Sequence, residues 1–211
     1  MNTDALKAFF LNKTNIRILA ALVLAIVIAV IVISSGWYYV ATVNGTPITA
    51  RAFFKNYRAS TISADTLSKM YAERAQNQFG SGDSATSTPA IMSDAEIKTS
   101  VLMGLIERAL IRDGARAEAG SGLDALVREK VSKYENDATL KNAAQTLYGF
   151  TPEEYQAEIL MPQAEQDILA GRLFLKGQRL DAWLKEAKKS ARVNIFSRDF
   201  SWDGEKVVYA K

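Results

Sequence analysis

The chain has 211 residues, 26 of them Lys or Arg and 23 Asp or Glu, and it contains neither Cys nor His. Without those two residue types it has no Ser-His-Asp or Cys-His nucleophile, no imidazole or thiolate metal set, no disulfide and no side chain that ordinarily titrates near neutral pH. Setting aside residues 1–17, which carry Lys7, Lys13 and Arg17 against Asp4, leaves 23 basic residues against 22 acidic ones, which is no basic footprint for nucleic acid.

The first element is the run Ile18 to Ile33, ILAALVLAIVIAVIVI, uncharged onward through Tyr38, with Leu, Ile or Val at twelve of its sixteen positions. About twenty such residues at 1.5 Å each cross a hydrocarbon core of roughly 30 Å. At roughly −0.3 to −0.6 kcal/mol per Leu, Ile or Val, the run gains about −4 to −7 kcal/mol on insertion. In lipid it must be helical, because no water is present to satisfy a bare backbone. A transmembrane helix over 18–39 is predicted, with Trp37, Tyr38 and Tyr39 as the aromatic belt at the outer headgroups. Basic residues next to a span stay inside, so residues 1–17 are predicted to be cytoplasmic and everything from residue 40 onward extracytoplasmic. Arg51, Lys55 and Arg58 follow the other end, but they belong to a long domain, and long domains translocate largely regardless of charge. A cleaved secretory signal would have a shorter apolar centre and small residues at −3 and −1. Here the candidate sites place Val32 or Ile33 at −3, which favours an uncleaved signal anchor.

Beyond the anchor lie about 170 residues, enough for one ordinary domain with its own core. Asn44-Gly45 within Val40–Thr49 predicts a two-residue hairpin, and Pro47 makes the second arm an edge strand. Thr49 is an N-cap opening a helix through Phe53, Phe54 and Tyr57, continuing past a break near Thr61–Asp65 to about Phe79. Residues 80–90, GSGDSATSTPA, are predicted to be a flexible loop.

Ser93-Asp-Ala-Glu96 is a capping box. It opens a helix whose stripe is Ile97, Val101, Leu102, Leu105, Ile106, Ala109 and Leu110, ended by Gly120-Ser-Gly122. Helices over Leu123–Tyr134 and Ala138–Leu147 follow, the first with Tyr134 facing inward. Thr151-Pro-Glu-Glu154 caps the next helix, which carries Tyr155, Ile159, Ile168, Leu169, Leu173 and Phe174 and is kinked or split by Pro162. A helix over Leu180–Ser190 leads to a strand at Val193–Ile195, reaching toward Phe196. A closing hairpin pairs Phe200–Trp202 with Val207–Tyr209 across Asp203-Gly204. The fold class is thus mostly α, with a small sheet joining strands from both ends of the outer domain.

This order of signals resembles the N-terminal chaperone domain of the SurA family, shared with membrane-anchored foldases of the PpiD and PrsA type. The matching pieces are VATVNGTPIT entering a helix with Phe53 and Phe54, SDAEIKTSVLMGLIERALIRDGARAEAG, YGFTPEEYQAEILMPQAEQDIL and EAKKSARVNIF. Together they cover nearly all of residues 40–196, leaving 197–211 as a C-terminal hairpin and tail. The resemblance implies a helical cradle that binds unfolded exported polypeptides. It does not extend to the family's parvulin prolyl-isomerase domain: only LKGQRL separates Phe174 from Asp181, and the His residues of that site are missing.

The function expected is therefore a membrane-tethered extracytoplasmic holdase for unfolded or nascent exported polypeptides, without isomerase activity. The alternative is a scaffold that holds one dedicated envelope or secretion partner at the membrane surface. Candidate client-binding residues are Phe53, Phe54, Tyr57, Met70, Tyr71, Met103 and Met161, because aromatic and Met side chains adapt to varied apolar partners. No catalytic residue, cofactor or metal ligand is predicted. The paired acids Asp94/Glu96 and Glu153/Glu154 sit at helix N-termini, where carboxylates stabilise the dipole.

Overall fold

Asn44 and Gly45 both take positive φ, 50° and 88°, and so reverse the chain in two residues, pairing Val43 with Thr46. This joins β1 (Tyr39–Val43) to β2 (Thr46–Thr49). Pro47, which has no N–H to donate, lies on the outer strand of a three-stranded sheet ordered β2-β1-β3. The third strand, β3 (Val193–Ile195), comes from the far end of the chain and pairs antiparallel to β1, Val43 opposite Val193. Asn44 closes this junction twice, its N–H donating to the Arg192 carbonyl at 2.9 Å and its Oδ1 accepting the Arg192 N–H at 3.0 Å.

The computed structural model describes residues 18, 20–27, 36, 38–79, 92–134 and 137–209. The predicted flexible loop 80–90 lies outside them, as do residues 1–17 and much of the predicted span 18–39. Residues 20–27 are helical, and Leu22, Val23 and Leu24 each lie more than half exposed although they point in successive directions around the helix. Among the described residues no helix is long and apolar enough to cross a membrane.

Helix α1 (Ala50–Phe79) begins where its free donors are met one by one. The Ala50 N–H donates to the Tyr38 carbonyl at 2.8 Å, the Arg51 N–H to the Gly36 carbonyl at 2.9 Å and the Ala52 N–H to Thr49 Oγ1 at 3.2 Å. Gly36 holds φ at 66°, and a Cβ there would lie 3.1 Å from the Arg51 nitrogen, so the close approach of these two backbones requires glycine. The predicted break near Thr61 does not occur. The Thr61 hydroxyl turns back to the Tyr57 carbonyl at 3.0 Å and the helix runs through.

Helix α2 (Asp94–Ala119) carries the expected capping box and contributes residues to both cores of the domain. Its first half faces one core, with Leu102 and Ile106 packed against Val43, Ile48 and Phe53; the closing hairpin, β4 (Phe200–Trp202) and β5 (Val207–Tyr209), adds Phe200 and Val207 to that core. Its second half, Ile111 and Ala115, faces another core made with α3 (Leu123–Ser132) and α6 (Met161–Leu175). The seam is tight: a Cβ on Gly114 would fall 2.5 Å from the Trp183 ring of α7 (Leu180–Ser190), which accounts for a glycine in mid-helix.

Between these parts, α4 (Ala138–Tyr148) packs on α1, and α5 (Pro152–Tyr155) continues through a π-helical turn, Gln156–Leu160, into α6. The π-turn answers the prediction of a kink at Pro162. In a regular helix Pro162 would offer no N–H to the Glu158 carbonyl and its ring would collide with it, and the wider turn relieves both. The fold is mostly helical with small antiparallel sheets, as the patterning implies. Tyr134, read as facing inward, follows the last turn of α3 and is exposed, and Phe174, carried by α6 with its apolar residues, is 78% exposed. Leu169 and Leu173 already occupy the buried i, i+4 positions, and Phe174 is one step further around the helix.

Candidate functional site

The structure separates the seven sequence-predicted residues. Phe53 is 7% exposed and belongs to the sheet-end core, while its neighbour Phe54 is 51% exposed, edge-on to it with ring centroids 5.4 Å apart. The Tyr57 hydroxyl donates to Asp94 Oδ1, and Lys98 stands both on Asp94 Oδ2 at 2.6 Å and over the Tyr57 ring at 5.5 Å. That hydrogen bond holds the Tyr57 phenol above its ordinary pKa, and Lys98 with Tyr57 holds the Asp94 carboxyl below its own. Tyr57 is therefore a clasp between α1 and α2 rather than a free ring. Met70 and Tyr71 are exposed more than three turns further along α1, some 20 Å away at 1.5 Å per residue. Met103 packs beside the sheet-end core and Met161 beside the helical one. No single groove collects them.

Two surfaces do gather apolar side chains. At the sheet end a cleft of about 320 Å³ is floored by Phe53, Leu102 and Phe200 and walled by Tyr38, Tyr39, Phe54 and Phe196. At the helical end two adjoining notches of about 170 and 260 Å³ share Val131, Tyr134, Leu140, Tyr155 and Leu160 and so form one groove. Each notch is below the roughly 300–1,000 Å³ of a small-molecule pocket.

The groove is built from local features of the sequence. Asp137 caps α4 by accepting the N–H groups of Thr139 and Leu140, presenting Leu140 at the wall. Thr151 and Glu154 form a reciprocal capping box that starts α5 and sets Tyr155. Tyr155 leans on Tyr148 at 6.0 Å, and Tyr148 stacks on Phe150 at 5.9 Å. Burial, followed by the neighbouring Tyr148, raises the Tyr155 pKa, so its phenol stays a proton donor at any physiological pH. The π-turn then brings Gln156 and Leu160 to the groove, with Gln163 following from α6. These two amides offer donors and acceptors matched to a peptide backbone. Lys130, paired with Asp167 at 3.2 Å, stands with Lys133 and Lys141 along its edge.

A partly buried polar network centred on Asn56 fixes the π-turn from behind. Asn56, 8% exposed, donates through Nδ2 to Glu158 Oε2 at 2.9 Å and accepts Arg108 Nη1 at 3.1 Å on Oδ1. Lys55 Nζ reaches the other Glu158 oxygen at 3.2 Å. One carboxylate thereby ties α1, α2 and the π-turn together, and every buried side-chain polar atom among the described residues has a partner. A second carboxylate, Glu165, is 6% exposed and meets Arg112 Nε at 3.1 Å.

Sequence reasoning missed the groove because it turned Tyr134 inward and read Tyr155 only as one of the apolar residues its helix carries. The available signal was the pairing of Tyr155 with a proline seven residues on, since a proline inside a helix marks where the helix must widen or bend. No family model, curated protein or solved structure matches the chain.

Proposed function

We propose that the chain is a membrane-tethered, extracytoplasmic polypeptide-binding protein of holdase type, without prolyl-isomerase activity. In this reading the apolar run within 18–39 is a single-pass anchor, residues 1–17 are cytoplasmic, and the following domain receives unfolded or exported chains. The observation that carries the reading is the groove on the π-turn: tyrosine and leucine walls supply sequence-tolerant apolar contact, and Gln156 and Gln163 supply backbone hydrogen bonds. π-turns recur at functional sites because they re-aim side chains that a regular helix would bury. The resemblance of residues 40–196 to the SurA N-terminal chaperone domain points the same way.

Full-length protein in lipid nanodiscs should suppress aggregation of a chemically unfolded client at a few-fold excess. Tyr134→Ala, at an exposed position, should weaken suppression several-fold without changing the unfolding midpoint. No suppression by the wild-type protein would overturn the holdase reading. The small volume of each notch favours a second reading, a scaffold recognising one short motif of a dedicated partner at the membrane surface. Cross-linking from position 134 that yields one stoichiometric partner would select it.

A further inference from the structure

The sheet end exposes four aromatic rings beside the place where the apolar run joins the domain. Tyr38, Tyr39, Phe54 and Phe196 are 41%, 52%, 51% and 61% exposed, and all four line the same cleft. We propose that this face docks on the bilayer surface, its rings at the boundary between headgroups and acyl chains, so that the domain lies against the membrane instead of hanging from a free tether. The inference rests on reading the run 18–33 as a membrane anchor.

Three observations carry it. The first is reach: Ile33, the last residue of the run, and Gly36 are three residues apart, which spans at most about 11 Å. Gly36 is itself fixed, its carbonyl accepting the Arg51 N–H and the next anchored carbonyl, that of Tyr38, accepting the Ala50 N–H. The domain therefore has little length on which to swing away from the run. The second is construction. Phe196 comes from the far end of the sequence, yet its N–H donates to the Val40 carbonyl at 2.9 Å, which sets it beside the tyrosines of the junction. The rings stand on a buried floor of Phe53, Leu102 and Phe200, so burying them in lipid asks nothing of the core. The third is charge. The cleft's lining residues carry one acid, Asp199, and one cation, Lys98, which is paired with Asp94; Arg51 at the junction and Arg198 beside Asp199 are further exposed cations outside the lining. Aromatic rings with exposed arginines close by in the chain suit the bilayer interface, where one end of a side chain is apolar and its surroundings are anionic.

The chain has no Cys, so single nitroxide labels can be placed at Leu24→Cys, Phe54→Cys, Phe196→Cys and Tyr134→Cys in the full-length protein. In vesicles of phosphatidylcholine, with and without phosphatidylglycerol, collision rates with oxygen and with a water-soluble nickel chelate report each label's surroundings. Labels at 54 and 196 should be several-fold better shielded from nickel than the label at 134, with no polypeptide present, and more so with phosphatidylglycerol. If 54 and 196 are as open to nickel as 134 while 24 is shielded, docking is overturned and the anchor stands. If 24 is open together with 54 and 196, both fail. Shielding that appears only on adding an unfolded polypeptide overturns lipid as the occupant and assigns the face to clients.

Discussion

The two ends of the domain expose apolar surface in different company. At the sheet end four rings crowd around the joint to the apolar run, with few polar partners beside them. At the helical end the tyrosines and leucines alternate with glutamines, lysines and acids, and the backbone widens into a π-turn beneath them. Exposure alone does not separate these surfaces, since Phe54 and Tyr134 are about equally open. What separates them is the presence of hydrogen-bonding groups. A peptide brings its own backbone donors and acceptors, whereas a bilayer interface takes rings and cations. The two proposals, polypeptide at the helical end and lipid at the sheet end, rest on that difference.

The largest effect should come from detaching the helical end from α1. Asn56→Leu removes the buried amide between Glu158 and Arg108 and leaves the half-buried Glu158 carboxylate with Lys55 and Arg108 alone, which should cost about 2–3 kcal/mol. Urea unfolding would show it. If the two ends are as separate as their chemistry, aggregation suppression should fall while lipid shielding at position 196 persists under native conditions.

A smaller effect should mark the seam between the cores. Gly114→Ala drives a methyl into the Trp183 ring and should cost about 1–3 kcal/mol, more than the roughly 1 kcal/mol of helix propensity that Ala brings. Gly104, on the same helix, has nothing within 4 Å of where its Cβ would stand. Gly104→Ala should therefore stabilise by about 0.5–1 kcal/mol, and thermal melts of the two variants should move in opposite directions.

The smallest effect is a pH dependence confined to the helical end. Burial raises the Glu165 pKa, against the pull of Arg112 and Arg116. A group whose folded pKa exceeds its unfolded value contributes stability fully below the unfolded pKa, about 4.3 for Glu, and loses it as pH rises through the folded value. Glu165→Gln should match the wild type near pH 4 and equal or exceed it in stability by pH 7. Denaturation midpoints across that range measure the divergence, and a wild type that gains on the variant as pH rises would contradict the sign.

Much of the fold was legible because its signals are local. The Asn44-Gly45 turn, the boxes at Ser93–Glu96 and Thr151–Glu154 and the glycines at 120 and 122 each concern groups within a few residues of one another. Their outcome does not depend on distant packing. Even the pairing of β1 with β3 followed from patterning, since both strands needed a partner and the chain offers few others. The candidate site was less legible. Phe53 and Phe54 are adjacent and chemically identical, and helical geometry sends one into the core and the other out. Composition could not rank them.

The sequence by itself determined the apolar run, the element order, the caps and turns, and the absence of Cys and His with the chemistries they support. Those properties reside in single residues or in spacings of two to four. The tertiary structure alone decided that Tyr57 is spent on Asp94, that Glu158 joins three elements, and that Phe196 stands beside Tyr38 and Tyr39. Each of those facts joins segments from different parts of the chain. Side-chain exposure and hydrogen-bond partners are set only when such segments compete for the same volume.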